Sequence, residues 1–199
     1  MTTDSIEDIF GPIRDLFLVH YFRTVRAAEL DGATLHYETP MREDDGRLKR
    51  YAQLALPRRA DLVVEKAGAK QFLSMNAKQV LPINPVQISH PPSIDVSITP
   101  CLWNALDIHV DARIDDATLD AIRHWYLEWF QQRRLREAPE LSGCVHAIKG
   151  PIEGLHGACF RIDMGTAPTD AIAELLGVFH RLGATTITFA SEPGLVEAF

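Results

Sequence analysis

In "ALDIHVDA" the apolar positions Leu106, Ile108 and Val110 alternate with Asp107, His109 and Asp111, the two-residue period of a strand with one buried face. The next stretch, "DDATLDAIRHWYLEWFQQRR", places apolar residues three and four apart behind acidic ones, which predicts a helix. "GCVHAIKG" and "GACFRIDMG" flank the turn-rich "PIEGLH" and predict a hairpin. "PTDAIAELLGVFHRLG" predicts a further helix, with Pro168 early, Ile172, Leu175, Leu176, Phe179 and Leu182 on one face, and Gly183 at the stop. "ATTITFAS" closes with a strand. The order β-α-β-β-α-β is the split arrangement of the ferredoxin-like fold. The expected class is α+β, and element order alone carries no function.

The first hundred residues read differently. Ser5-x-x-Asp8 is a capping pattern, and Ile13, Leu16, Phe17, His20 and Thr24 then recur at helical spacing, with Leu18, Phe22 and Val25 on a second face. A helix from about Pro12 to Ala28, packed on both sides, is expected. Short extended pieces follow in "ATLHYE", "RYAQLAL", "DLVVEK" and "QFLSM". The charged loop "PMREDDGR" and a turn at "PRRA" separate them. "LPINPVQISHPPSIDVSITP" holds five prolines, which cannot donate to a sheet ladder, so edge strands or an extended wrap are expected there and no central strand. The chain divides near Pro100 into a helix and strand-rich segment, 1–100, and a ferredoxin-like segment, 101–199. The short strands of the first are expected to pack against the second, with the two forming one cooperative unit.

One helix demands that second surface. Trp125, Trp129, Ile122, Tyr126, Leu119, Phe130 and Leu127 occupy an arc of roughly 200°, about twice what one packed helix face requires. A ferredoxin-like sheet covers only part of it. Trp125 and Trp129 are both expected to be buried, at least one of them against the first hundred residues. Glu128, His124 and Gln131 fill the polar side, and the arginines at 133, 134 and 136 suit a helix C-terminus. Base stacking would instead need these aromatics on an exposed, electropositive platform.

Charge argues against that platform. Of the formal net −7, residues 1–100 carry 12 Lys and Arg against 13 Asp and Glu, and residues 101–199 carry 8 against 14. An acidic second half repels phosphate backbones and favours a basic partner, so no nucleic acid is expected. With 46% hydrophobic and 24% charged residues, the composition is that of a globular protein. No basic region followed by an apolar stretch opens the chain, and "DLFLVHYF" is too short to span a bilayer. No membrane association is expected, and a cytoplasmic location follows by elimination. Three cysteines, Cys101, Cys144 and Cys159, fit a reducing compartment, with Cys144 and Cys159 expected as buried thiols.

Candidate chemistry lies on the sheet face that the two helices leave open. Alternation places Asp107, His109 and Asp111 there on one strand, with Cys159, Arg161 and Asp163, and Thr186 and Thr188, on its neighbours. His109 between carboxylates is a candidate general base, Asp111 its partner and Arg161 an anion clamp. The same patch, Asp107, His109, Asp111, Arg161 and Asp163, is equally a binding surface, in which Arg161 pairs with an aspartate. That pairing is the expected one, because a bidentate Arg–carboxylate contact is the stronger. A metal reading joins His109 and Asp111 with His146 or His156, but the spacing is not specific to a metal, and no metal or other cofactor is expected. The function expected is a non-enzymatic protein-binding module, in one version an immunity or antitoxin-type inhibitor of a basic partner protein. A third possibility is a structural or regulatory subunit of a homodimer, with the sheet face as a self-complementary interface. The alternative is a small enzyme built on the His/Asp/Arg patch.

Overall fold

Ser5 and Asp8 close a reciprocal capping box: Asp8 N donates to Ser5 Oγ (3.1 Å), and Ser5 N donates to Asp8 Oδ2 (2.9 Å). The helix that starts there, α1, covers Ile6–Leu30, beginning earlier and ending later than its apolar spacing predicts because the cap sets its start. This is a computed structural model, and it describes residues 5–51, 53–75, 80–90, 94–131, 141–154 and 157–191. The described strands of the first half are β1 (Thr34–Pro40), β2 (Arg50–Tyr51), β3 (Leu56–Pro57), β4 (Arg59–Lys66), β5 (Ala69–Leu73), β6 (Val86–His90) and β7 (Ile94–Ile98). The second half runs β8 (Leu106–Val110), α2 (Asp116–Phe130), β9 (Ala147–Gly154), β10 (Gly157–Asp163), α3 (Asp170–Arg181) and β11 (Thr186–Ala190). The protein is mixed α+β.

A six-stranded sheet has the order β6-β7-β11-β8-β10-β9, with β1-β4-β5 forming a three-stranded sheet and β2-β3 a two-stranded one. Within the large sheet only β7 and β11 run parallel. Strands from both sides of residue 100 therefore share one sheet. Its apolar face, with Ile108, Phe160, Ile162, Ile187 and Phe189 fully buried, lies under the helices. Phe179 of α3 packs on Phe160, and Phe10 of α1 meets Phe189 edge-on at 5.0 Å. Among the described residues no helix is long and apolar enough to cross a membrane.

The crowded arc of α2 is divided between two neighbours. Trp125 Nε1 donates to the Ala171 carbonyl (3.1 Å) and Trp129 Nε1 to Glu174 Oε2 (2.6 Å), so both buried indoles bond to α3. Tyr126 and Phe130 face the first half: the Tyr126 hydroxyl lies 2.6 Å from the Pro57 carbonyl oxygen, and the Arg59 guanidinium stacks 4.6 Å above the Phe130 ring. Bonds to the first hundred residues come from Tyr126 and from the Phe130 carbonyl. Leu127, counted in the arc, is exposed. Trp125→Ala should cost about 3–5 kcal/mol in a urea titration, the loss typical of a large core aromatic; a change below 1 kcal/mol would mean that the helix pair repacks without it.

Three local expectations need correcting. β7 lies inside the sheet, between β6 and β11, although it falls in the proline-rich stretch. No proline occurs from Ile94 to Ile98, so every backbone N–H there can join a ladder. "PRRA" is not a turn: β3 ends at Pro57 and β4 begins at Arg59. Arg59 is drawn inward, with Nε donating to the Phe130 carbonyl (2.9 Å) and Nη1 to the Glu38 carbonyl (2.5 Å). Cys159 is half-buried on the open sheet face, whereas Cys144 is sealed in the interior. The arginines at 133, 134 and 136, and His156, lie outside the described residues.

Candidate functional site: a sealed polar cluster and an open sheet face

Where the three-stranded sheet meets the large one, the core turns polar. Glu38 comes from β1, Asp61 from β4, Cys144 and His146 from the segment entering β9, Asp163 from the end of β10 and Thr166 from the loop after it. Glu38, Asp61 and His146 are 0%, 3% and 1% exposed. The His146 ring bridges the two carboxylates, with Nε2 2.7 Å from Glu38 Oε1 and Nδ1 2.8 Å from Asp61 Oδ1. Each carboxylate is satisfied further. Thr166 Oγ1 donates to Glu38 Oε1 (2.6 Å), Ser142 N to Glu38 Oε2 (2.5 Å), and Met75 N to Asp61 Oδ2 (2.6 Å). Such completeness is what makes buried charge tolerable.

Backbone geometry holds the ring in place. Gly165 has φ +52°, and a Cβ there would stand 2.3 Å from His146 Cδ2 and 2.6 Å from the Cys144 carbonyl oxygen. Only glycine fits. Glu38, with φ +43°, also adopts the left-handed region, a strain its buried hydrogen bonds offset.

The electrostatics follow from burial and pairing. Burial works to neutralise His146, but its hydrogen bonds to Asp61, Cys144 and Glu38 prevail and hold the imidazolium well above the usual histidine range. Burial would raise Glu38 too, yet the His146 contact, with Thr166 and Ser142, keeps it at about 2. Burial pushes the Cys144 thiol up. Asp163 is raised to about 7, first by burial and then by the charge of Asp61. A carboxyl raised in the folded state contributes stability that is present below its unfolded value and lost as pH rises through about 7. Asp163→Asn should remove that loss, so its urea midpoint should fall less than the wild type's between about pH 5 and pH 8. Parallel curves would contradict this assignment.

The open face of the large sheet is a different environment. Paired residues make one rung across all six strands: Ile152, Cys159, His109, Thr188, Ser97 and Gln87. Ile152 is 70% exposed, and His109 is exposed beside Cys159, whose Sγ lies 3.7 Å from His109 Nε2. On the next rung Arg161 grips Asp107 bidentately, Nε to Oδ1 at 2.6 Å and Nη2 to Oδ2 at 2.7 Å. Asp107 is buried. Arg161→Ala would take the bidentate partner from the buried Asp107 carboxylate and should cost about 3 kcal/mol; thermal melts within a degree of wild type would show that solvent reaches Asp107 freely.

The five residues expected to share this face are thus only partly together. Asp107 and Arg161 form a pair, and His109 stands beside Cys159. Asp111 turns to the start of β11, accepting from Thr185 N (2.9 Å) and Thr185 Oγ1 (2.6 Å). Asp163 belongs to the buried cluster, where its Oδ1 accepts from Gly165 N (3.0 Å). Sequence reasoning missed that cluster: His146 entered only as an alternative ligand beside His109, and Glu38, Asp61 and Thr166 did not enter. The signal available was an acidic residue heading the apolar strand "DLVVEK" and another closing "GACFRID". Comparison with known proteins gives no matching family model, no matching curated protein and no matching solved structure.

Proposed function

We propose that the protein is a non-catalytic recognition module that takes a basic partner protein on the open face of its six-stranded sheet. The observation that carries this reading is the continuous rung from Ile152 to Gln87 on the open face, with Ile152, His109 and Gln87 exposed and Cys159, Thr188 and Ser97 half-buried between them. At the usual strand spacing it spans roughly 24 Å, the width of a protein–protein contact and not of a small-molecule cleft. Asp95 and Asp111, both exposed, flank the start of β11 at one end of the face and give a basic partner two carboxylates to meet. The groups with the strongest acid–base character, His146 and its carboxylates, are out of a substrate's reach. An inhibitor of the immunity or antitoxin type, occluding a basic toxin, is the specific form we favour. The strand order β11-β8-β10-β9, antiparallel throughout, supports a ferredoxin-like arrangement for 101–199.

Affinity capture from the cell of origin, comparing wild type with Ile152→Asp and Thr188→Arg, tests this. The expected result is a basic protein retained by wild type, released by salt and lost with either variant. Capture that ignores both variants would overturn the proposal. A turnover of a small anionic substrate that vanishes in His109→Ala would favour the enzyme alternative, and a concentration-dependent mass in sedimentation would favour a homodimer on this face.

A further inference from the structure

The sealed cluster has the donor set of a metal centre. Glu38 Oε1, Cys144 Sγ and His146 Nε2 all lie within 4.8 Å of one another, and all three residues are buried. They offer one carboxylate oxygen, one thiolate sulfur and one imidazole nitrogen, a mixture suited to a zinc-type ion. Behind the ring, Asp61 accepts from Nδ1 at 2.8 Å and is itself held by Met75 N at 2.6 Å. A carboxylate on the far nitrogen of a histidine fixes the tautomer that presents Nε2 to a metal. Ser142 N, bonded to Oε2, likewise leaves Oε1 of Glu38 directed at the other two donors.

We propose that Glu38, Cys144 and His146 bind one divalent transition-metal ion of the zinc type, and that this ion fastens β1 to the segment entering β9.

The distances fit with one adjustment. Metal–ligand bonds of ordinary length place neighbouring donors roughly 3.4 Å apart in a tetrahedron. Cys144 Sγ already stands 3.4 Å from Glu38 Oε1. Nε2 and Oε1, at 2.7 Å, share a proton instead, and they separate when the ion replaces it. The protons on Nε2 and Sγ both leave, so a dication enters while two positive charges depart and the net charge of the buried cluster is unchanged. A second donor set, Asp61, His146 and Asp163, uses the other ring nitrogen. It offers no sulfur, and its Asp61 is the group that orients the ring, so we assign the metal to the Nε2 side. With the donors sealed from solvent, the ion is taken up as the chain folds.

Cobalt(II) chloride is the probe, because its bond to a thiolate absorbs in the near ultraviolet. Full-length protein is unfolded in chelator and refolded with cobalt(II). One cobalt per chain, with a cobalt–thiolate band, is the expected result. The band should be lost in Cys144→Ser and kept in Cys101→Ser and Cys159→Ser. Refolded wild type without stoichiometric cobalt or without the band overturns the proposal, as does a band that follows Cys159. Should Cys144→Ser fail to fold, X-ray absorption on cobalt-loaded wild type decides: a first shell with one sulfur supports the site, and a shell of nitrogen and oxygen alone overturns it.

Discussion

His146→Ala is expected to destabilise the protein by about 5 kcal/mol or more, enough to leave a marginally stable chain largely unfolded. The imidazole is the shared partner of two carboxylates that are 0% and 3% exposed, one on each side of the ring. Removing one member of a buried ion pair typically costs about 3–5 kcal/mol, because the charge left behind has neither water nor a partner. Here one substitution takes the cationic partner from two carboxylates at once and leaves them with neutral donors such as Thr166 Oγ1, Ser142 N and Met75 N. Urea denaturation checks it, with His124→Ala, an exposed position on α2, as the control expected to move by less than about 0.5 kcal/mol. A His146→Ala variant within 1 kcal/mol of wild type would mean that Glu38 and Asp61 find other compensation.

The second large effect concerns the two halves. A fragment of residues 101–199 should aggregate or self-associate, with no cooperative melt. It retains β8 to β11 but loses β7, so the edge of β11 is left with unpaired backbone groups open to another chain. Tyr126 loses the Pro57 carbonyl and Phe130 loses the Arg59 guanidinium. His146 loses both Glu38 and Asp61. Light scattering and a thermal scan of the fragment are the check. A monodisperse monomer with a cooperative melt would show that the second half satisfies its own surfaces.

Local pattern carried the reading where one face of an element is buried and the other wet. The alternation in β8, the apolar stripe of α3 and the Ser5–Asp8 box are each read from a few adjacent residues; β8 and α3 stand where their patterns put them, and α1 starts at its box, earlier than its apolar spacing alone placed it. The excess aromatic surface of α2 likewise announced a second neighbour, and Tyr126 and Phe130 meet it. What failed was non-local. β7 looked like part of a wrap because prolines surround it, and the parallel pairing to β11 that places it inside the sheet spans some ninety positions of sequence. The polar cluster joins residues 85 and 108 positions apart, with no period to mark them. Alternation tells which side of a strand is inside; it does not tell which buried carboxylate will meet which base.

The acid–base cluster is interior, and the proposed recognition surface is the open sheet face. The three cysteines sample both places, since Cys144 sits in the cluster, Cys101 in the core and Cys159 half-exposed beside His109. Brief alkylation of the native protein with iodoacetamide, mapped by mass spectrometry, reads all three at once. Adducts on Cys159 alone, with Cys101 and Cys144 reacting only in denaturant, are the predicted outcome. Modification of Cys144 in the folded protein as fast as Cys159 would contradict the account, because it would place the His146 cluster within reach of solvent and substrate.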